Sequence, residues 1–295
     1  MDRLDFIKEG FLDELMEIMT INIGLMEINY GDQHFRRTDN GMALHNPFVG
    51  NYIMDAFTTE MAAEVYLRKN SVMLMLAMSN GKLNQSVTSP GTTSPAFYFK
   101  AGYDKQINSD FRFRLTGSLY TLNNTSNTWL YGGDRAGSRY YYVMENTQAS
   151  ASGNFTSGRI NPGFRNSLTA VQFNTLIKYK GLEFFGTFEN ASGQNDGQDA
   201  DKRSWTQVAA DIIYRFGGWD QFYVGGRINT VGGPLAGTTD NVSVGRLAGV
   251  LGWFMTPNIM AKLELIDQNY SDYENTNILH EGNFNGVMFE AVISF

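Results

Sequence analysis

Apolar and polar residues alternate one for one along most of this chain. In residues 110–121, DFRFRLTGSLYT, one parity collects Phe111, Phe113, Leu115, Gly117 and Leu119, and the other Arg112, Arg114, Thr116, Ser118 and Tyr120. A period of two is the signature of a β-strand with one apolar and one wet face. The period recurs in AFYFKAGYD, where Phe97, Phe99, Ala101 and Tyr103 oppose Tyr98, Lys100, Gly102 and Asp104. It recurs again in VQFNTLIKY, LEFFGTFE, VAADIIYRF, QFYVGGRINT, GRLAGVLGWF, IMAKLELIDQ and the closing GVMFEAVISF. Nearer the start, DAFTTEMAAEVYLR places Phe57, Met61, Val65 and Leu67 opposite Glu60, Glu64, Tyr66 and Arg68, and TINIGLMEINY and SVMLMLAMS complete the set. The pattern predicts about twelve strands, each near the ~9–11 residues that cross a bilayer obliquely.

The connections alternate too. Short ones fall near residues 70, 107, 180–181, 217–220 and 256–258; long ones span 31–54, 80–94, 123–167, 191–203, 231–241 and 271–283. Short turns on one rim and long loops on the other are the layout of an outer-membrane β-barrel. An even strand number then puts both chain ends on the short-turn rim. Aromatics gather near strand ends (Phe97, Phe111, Phe216, Trp219, Phe222, Trp253, Phe254, Phe295), as interfacial girdles do. A soluble β-sandwich also alternates, but its wet face carries Lys, Glu and Thr, whereas Tyr, Gly, Arg and Glu fill this one.

Composition narrows the picture. Charged residues are 18% and aromatics 14% of 295 residues, with 31 Gly and no Cys, so the chain is charge-poor and glycine-rich for a soluble domain. The absence of Cys removes disulfides and thiolate metal sites. Net charge is −7, and no nucleic-acid partner is expected. No apolar run approaches the ~18–20 residues of a membrane helix. Met1 opens the acidic stretch MDRLDFIKEGFLDELMEIM, which lacks the basic start and apolar stretch of a secretory leader. Within it Leu4, Ile7, Phe11, Leu15 and Ile18 recur at helical spacing, so residues 1–18 read either as a short helix or as the remnant of a preceding strand and turn. Residues 19–295 read as one transmembrane antiparallel β-barrel.

Residues 21–60, INIGLMEINYGDQHFRRTDNGMALHNPFVGNYIMDAFTTE, resemble the first block of porin-like outer-membrane proteins of Gram-negative bacteria, a group loosely related to phosphate-selective porins. Beyond that block the resemblance is one of architecture and of the terminal Phe295. It implies passive diffusion of small hydrophilic solutes with an anion preference, no cofactor, a homotrimer in outer-membrane lipid and lipopolysaccharide, and recognition of Phe295 by the outer-membrane assembly machinery. Members of the group are usually longer, with a leader and several strands ahead of this block. Two readings follow: a twelve-stranded barrel, or a start codon assigned inside a longer gene that encodes a barrel of 14 to 18 strands.

Were the apolar parity to face lipid, the lumen would carry Lys100, Arg112, Arg114, Lys178, Arg215, Arg227, Arg246 and Lys262 against Asp104, Glu183, Glu189, Asp211, Glu264 and Glu290. Charges on a narrow wall set ion preference because the low-dielectric surround focuses their field. Either the arginines form a ladder that draws anions, or they cancel against carboxylates on neighbouring strands. In the first long loop Arg36 and Arg37 could grip a phosphate or carboxylate by bidentate hydrogen bonds, or be held by Asp32 and Asp39. Lys100, Arg112, Arg114, Arg215, Arg227, Arg246, Arg36 and Arg37 are therefore the candidate pore-lining residues.

The loop at 123–167, with Arg135, Arg139 and Tyr140–Tyr142, either folds into the pore or stands up as a hairpin. Asp196, Asp199 and Asp201 form an acidic loop without the EF-hand order, and no metal site is assigned. His34, His45 and His280 all fall in long loops, and neither GxSxG nor HExxH occurs, so no catalysis is expected. A structural or adhesive barrel is the alternative to a porin, and a barrel-embedded hydrolase a more distant one.

Overall fold

A computed structural model describes residues 10–37, 43–83, 94–133, 139–140, 142–195 and 202–295. A short helix, α1 (Phe11–Met16), leads into β1 (Met19–Glu27). Leu4 and Ile7 of the helical-spacing pattern lie outside the described residues. There follow β2 (Thr59–Lys69), β3 (Val72–Ser79), β4 (Ala96–Gln106), β5 (Phe111–Leu122), β6 (Ser167–Tyr179), β7 (Leu182–Gln194) and β8 (Arg203–Phe216). The wall is completed by β9 (Phe222–Pro234), β10 (Asn241–Thr256), β11 (Ile259–Ser271) and β12 (Asn283–Ile293). Every strand pairs antiparallel with its sequence neighbours, in the order β1 to β12, and β1 and β12 remain the two edges of an open sheet.

The strands form where the alternation placed them, and parity decides their faces. On β10, Leu247, Leu251 and Trp253 are exposed while Val244, Arg246, Ala248 and Val250 are buried. On β4, Phe97, Phe99 and Tyr103 point out while Tyr98 and Lys100 point in. The turn joining β2 to β3 shows how register is fixed: Lys69 pairs with Val72, and Asn70 and Ser71 between them both take positive φ (51° and 70°). Two such residues match the twist of the flanking strands.

The aromatic girdle is clearest at the short-turn rim. Tyr214, Phe216, Phe222 and Trp253 stack in a row across β8, β9 and β10, with successive centroids 6.2, 5.8 and 6.1 Å apart. Phe254 departs from the expected girdle: it turns inward, beside Tyr223. The largest departure concerns Phe57. Its apolar parity with Met61 put it on the outer face, yet β2 begins only at Thr59, and Phe57 is buried beneath the Arg37 guanidinium, 4.1 Å from its ring centre. It belongs to the segment that fills the interior.

Candidate functional site

Residues 28–37, after β1, and 43–58, before β2, lie inside the wall. A loop buried in this way carries peptide groups that water cannot reach, so the wall must satisfy them. Inward side chains of β8 to β11 do so. Gln207 accepts from Met54 N (2.9 Å) and donates to Met54 O (2.6 Å), imitating a neighbouring strand. Asn229 accepts from Ile53 N at 2.7 Å. Glu264 accepts from Gly50 N at 2.9 Å and from Val49 N, while Lys262 Nζ donates to the carbonyls of Ala43, Asn46 and Phe48 at 3.0–3.1 Å. Arg227 donates to Gly50 O (3.0 Å) and Arg246 to Asn51 O (2.6 Å).

The first turn of the segment, a short 3-10 helix at Gln33–Arg36, is pinned by charge. Asp32 accepts two hydrogen bonds from Arg114 (2.8 and 2.9 Å) and one from Thr116 (2.8 Å), and lies 2.8 Å from Lys100 Nζ. Burial opposes ionisation there, but Arg114 and Lys100 outweigh it and hold the Asp32 carboxyl well below the usual carboxylate range. His34 donates from Nδ1 to Tyr30 O at 2.9 Å; burial, with the Lys100 charge adding to it, lowers its pKa to about 3. Its ring is therefore neutral. Tyr30 and Tyr131 both donate to Glu189 on β7 (3.1 and 2.7 Å), and Tyr52 donates to Asp211 on β8 (2.9 Å). Arg37 and Arg159 converge on Asp55.

The described residues of the long loop after β5 fold in from the same long-loop rim and close over this segment. Phe57 N donates to Leu130 O (2.7 Å), Ile160 N to Ile53 O (2.8 Å), and Tyr140 Oη to Glu264 (2.9 Å). Of the two arrangements left open for this loop, its described residues take the inward one. Arg135 and Tyr141 lie outside the described residues, as do Asp39 and the aspartates at 196, 199 and 201.

Below the filled zone, at the short-turn rim, the interior opens into a vestibule of about 870 Å³. Among the described residues Arg36, Arg68, Arg112, Arg114, Lys178 and Arg215 line it with two carboxylates, Asp32 and Glu183, Asp104 pairing with Arg112 and Arg114 beside it, and His45, Phe185 and Phe254 add aromatic surface. Arg36 reaches Glu183 with Nη2 (2.9 Å), stacks on Phe185 and, among the described residues, leaves Nη1 buried without a hydrogen-bond partner. Arg68 lies over Tyr66, and Arg215 over Tyr223 and Phe254; among the described residues neither makes an ion pair. A cavity with excess fixed cations and low-dielectric walls concentrates anions.

The eight residues singled out from the sequence thus divide. Arg36, Arg112, Arg114 and Arg215 meet in the vestibule. Lys100, Arg227, Arg246 and Arg37 are almost wholly buried and hold the interior segments in place, so they face protein and not an aqueous lumen. Of the two open readings of the arginines, cancellation against carboxylates on neighbouring strands is seen where Arg112 pairs with Asp104 across β4 and β5, and Arg227 with Asp211 across β8 and β9. Sequence reasoning missed the inward carboxamides Asn174, Gln207, Asn229 and Gln268, which bind backbone, hydroxyl and other amide groups inside the wall. An uncharged amide midway along a strand's wet face was the available signal. His34 and His280 each bond a backbone carbonyl.

No protein-family model matches the chain, and no curated protein sequence matches it. Among solved structures it is similar to a porin refined at high resolution (9% identity, TM-score 0.45), covering 79% of this chain and 62% of the porin. It is also similar to a loop-deletion mutant of OmpT, an outer-membrane protein of Vibrio cholerae (9%, 0.48, 92% and 74% covered). A third is Pseudomonas aeruginosa OccK2 in complex with glucuronate (12%, 0.43, 94% and 78%). None reaches a TM-score of 0.5, and the assignment of the fold rests on the chain's own two faces. Among the described residues no helix is long and apolar enough to cross a membrane. The exposed face carries Ile, Leu, Val and an aromatic girdle, and the enclosed face carries the charges and amides. Strands that are apolar outside and polar inside make this a transmembrane β-barrel wall of the bacterial outer-membrane type.

Proposed function

We propose that the chain works as a porin-like channel of the Gram-negative outer membrane, admitting small hydrophilic solutes by passive diffusion and preferring anions. Residues 28–37 and 43–58 act as its constriction. The observation that carries this reading is the vestibule, where, among the described residues, six cationic side chains outnumber Asp32, Glu183 and the Asp104 that pairs with Arg112 and Arg114, and Arg36 Nη1 is left without a hydrogen-bond partner. A carboxylate or phosphate entering there would find a guanidinium edge already desolvated. We assign it no catalytic role, and we propose the homotrimer and the use of Phe295 as an assembly signal on the strength of the porin-like resemblance.

The filled interior favours a second reading, a structural or adhesive barrel. Single-channel conductance in a planar bilayer under a salt gradient separates the two. Discrete steps with a reversal potential of anion sign support the channel; steps of cation sign retain the pore and remove the anion preference. A folded barrel that never conducts would leave the structural reading standing.

A further inference from the structure

The strands differ in length, and the excess lies on one rim. β1 to β4 have 8 to 11 residues, whereas β5 to β12 have 11 to 16. About 9–11 residues cross the hydrocarbon. On the short-turn rim of β5 to β12 the outward positions stay apolar, as at Phe111, Tyr179, Phe216, Phe222 and Trp253. On the long-loop rim of β5 to β12 they change character. Thr121, Thr169, Asn190, Ser192, Ser204, Thr206, Ser243, Asn269 and Asn283 all share the parity of the lipid-facing residues. β3 and β4 lack this collar, Met78 and Phe97 carrying their apolar face up to that rim, while β1 and β2 add only Glu27 and Thr59 beyond Leu25 and Met61.

The collar is hydrogen-bonded within itself. Thr121 and Thr169 bond across β5 and β6 (3.2 Å); Asn190 donates to Ser204 and Thr206 (2.9 and 3.0 Å); Asn283 donates to Asp267 and Asn269 (2.6 and 2.8 Å). Two shallow clefts open on it. One of about 350 Å³ is lined by Asn124, Asn166, Thr169, Ser192, Gln194 and Lys202; another, of about 290 Å³, by Ser204, Thr206, Asn241, Ser243 and Asp272 beside Gly232 and Gly233. Both sit near the small end of ligand clefts, ~300–1,000 Å³.

We propose that this collar is a saccharide-binding surface for the sugar head groups of outer-leaflet glycolipid. Its height is that of the head groups, given the long loops outside, as the outer-membrane reading places them. Phosphate recognition would call for clustered outward Arg or Lys, whereas the collar strands present hydroxyls, carboxamides and the Asp267 carboxylate, with Lys202 at the edge of the first cleft. A carboxamide offers a donor and an acceptor side by side, which matches vicinal sugar hydroxyls. The cross-strand bonds hold these groups in place before a ligand arrives, which lowers the entropic cost of binding.

The test uses the folded full chain in detergent, titrated with rough-type lipopolysaccharide that retains its inner-core sugars, with lipid A, and with phosphatidylglycerol. Rough lipopolysaccharide is expected to bind about tenfold more tightly than lipid A, and the variant N190L/T206V to lose about that factor with no change for lipid A. Free core oligosaccharide should compete in the unmodified chain, so the test stands even where the variant does not fold. Equal binding of lipid A and rough lipopolysaccharide, or no competition by the oligosaccharide, overturns the proposal. The collar faces away from the lumen, so conductance reports on the channel reading separately.

Discussion

Asp211 on β8 and Arg227 on β9 meet across the inner wall through two hydrogen bonds, Nε to Oδ1 at 2.7 Å and Nη2 to Oδ2 at 2.8 Å. The pair is shielded from water and tied to the interior segment: the guanidinium lies 4.1 Å from the ring centres of both Phe48 and Tyr52, and Tyr52 donates to the same carboxylate. Removing one partner strands the other charge. D211A is therefore expected to lose about 3–5 kcal/mol of folding stability, and D211L/R227M to recover most of it. Equilibrium unfolding in lipid vesicles measures both. Additive losses in the double variant would show that the two residues do not act as a unit.

Glu264 and Lys262, neighbours on the inner face of β11, clamp the backbone at 43–50 from opposite signs, the carboxylate taking N–H groups and the ammonium taking carbonyls. Hydrogen bonds to charged groups are worth roughly 1.5–3 kcal/mol each. E264A/K262A should weaken docking of the segment by about 3 kcal/mol, a shift of roughly a hundredfold towards the released form. Longer and more frequent large-conductance openings in single-channel records would report it. Unchanged records would mean that residues 43–50 do not constrict the path.

The wall was legible in the sequence because its physics is local. Phe111 to Tyr120 announce two faces by parity alone, and the strand order follows from the sequence of short and long connections. What fills the wall was not legible. Residues 28–58 have no period, and their partners lie far along the chain: Tyr30 and Glu189 are 159 residues apart, and Gly50 and Glu264 are 214. Phe57 was misplaced for the same reason, since parity counts beyond a strand's end without noticing that the strand has ended. The vestibule was half visible. Arg112 and Arg114 could be placed inward by alternation, but that Lys100 and Arg227 would meet protein instead of water depended on where the loop lies.

Arg68 and Arg215 are the vestibule cations whose replacement disturbs least, since each rests on aromatic rings and, among the described residues, makes no ion pair. R68Q/R215Q should alter stability by no more than about 1 kcal/mol while removing two of the six charges that face the vestibule. The reversal potential under a salt gradient is expected to move towards cation preference. The same potential in variant and parent would place the selective charges elsewhere.

His34 gives the interior segment a dependence on pH whose sign can be worked out. Docked, the ring is buried among Lys100, Asp32, Arg37 and Phe35, and its pKa is lowered from 6.5 to about 3. Released into water it regains its ordinary value. Between those two values the released form binds the proton and the docked form does not, so docking is at full strength above pH 6.5 and weakens as pH falls towards 3. From pH 7 to pH 5 the loss is about 2 kcal/mol. Asp32 acts in a lower window, because its depressed pKa keeps it ionised until well below pH 4. Open probability in planar bilayers should therefore rise on acidification from pH 7 to pH 5. H34Q retains a side-chain donor for the Tyr30 carbonyl and cannot be protonated, so it should flatten that rise; a rise of the same size in H34Q would assign the acid response to other groups.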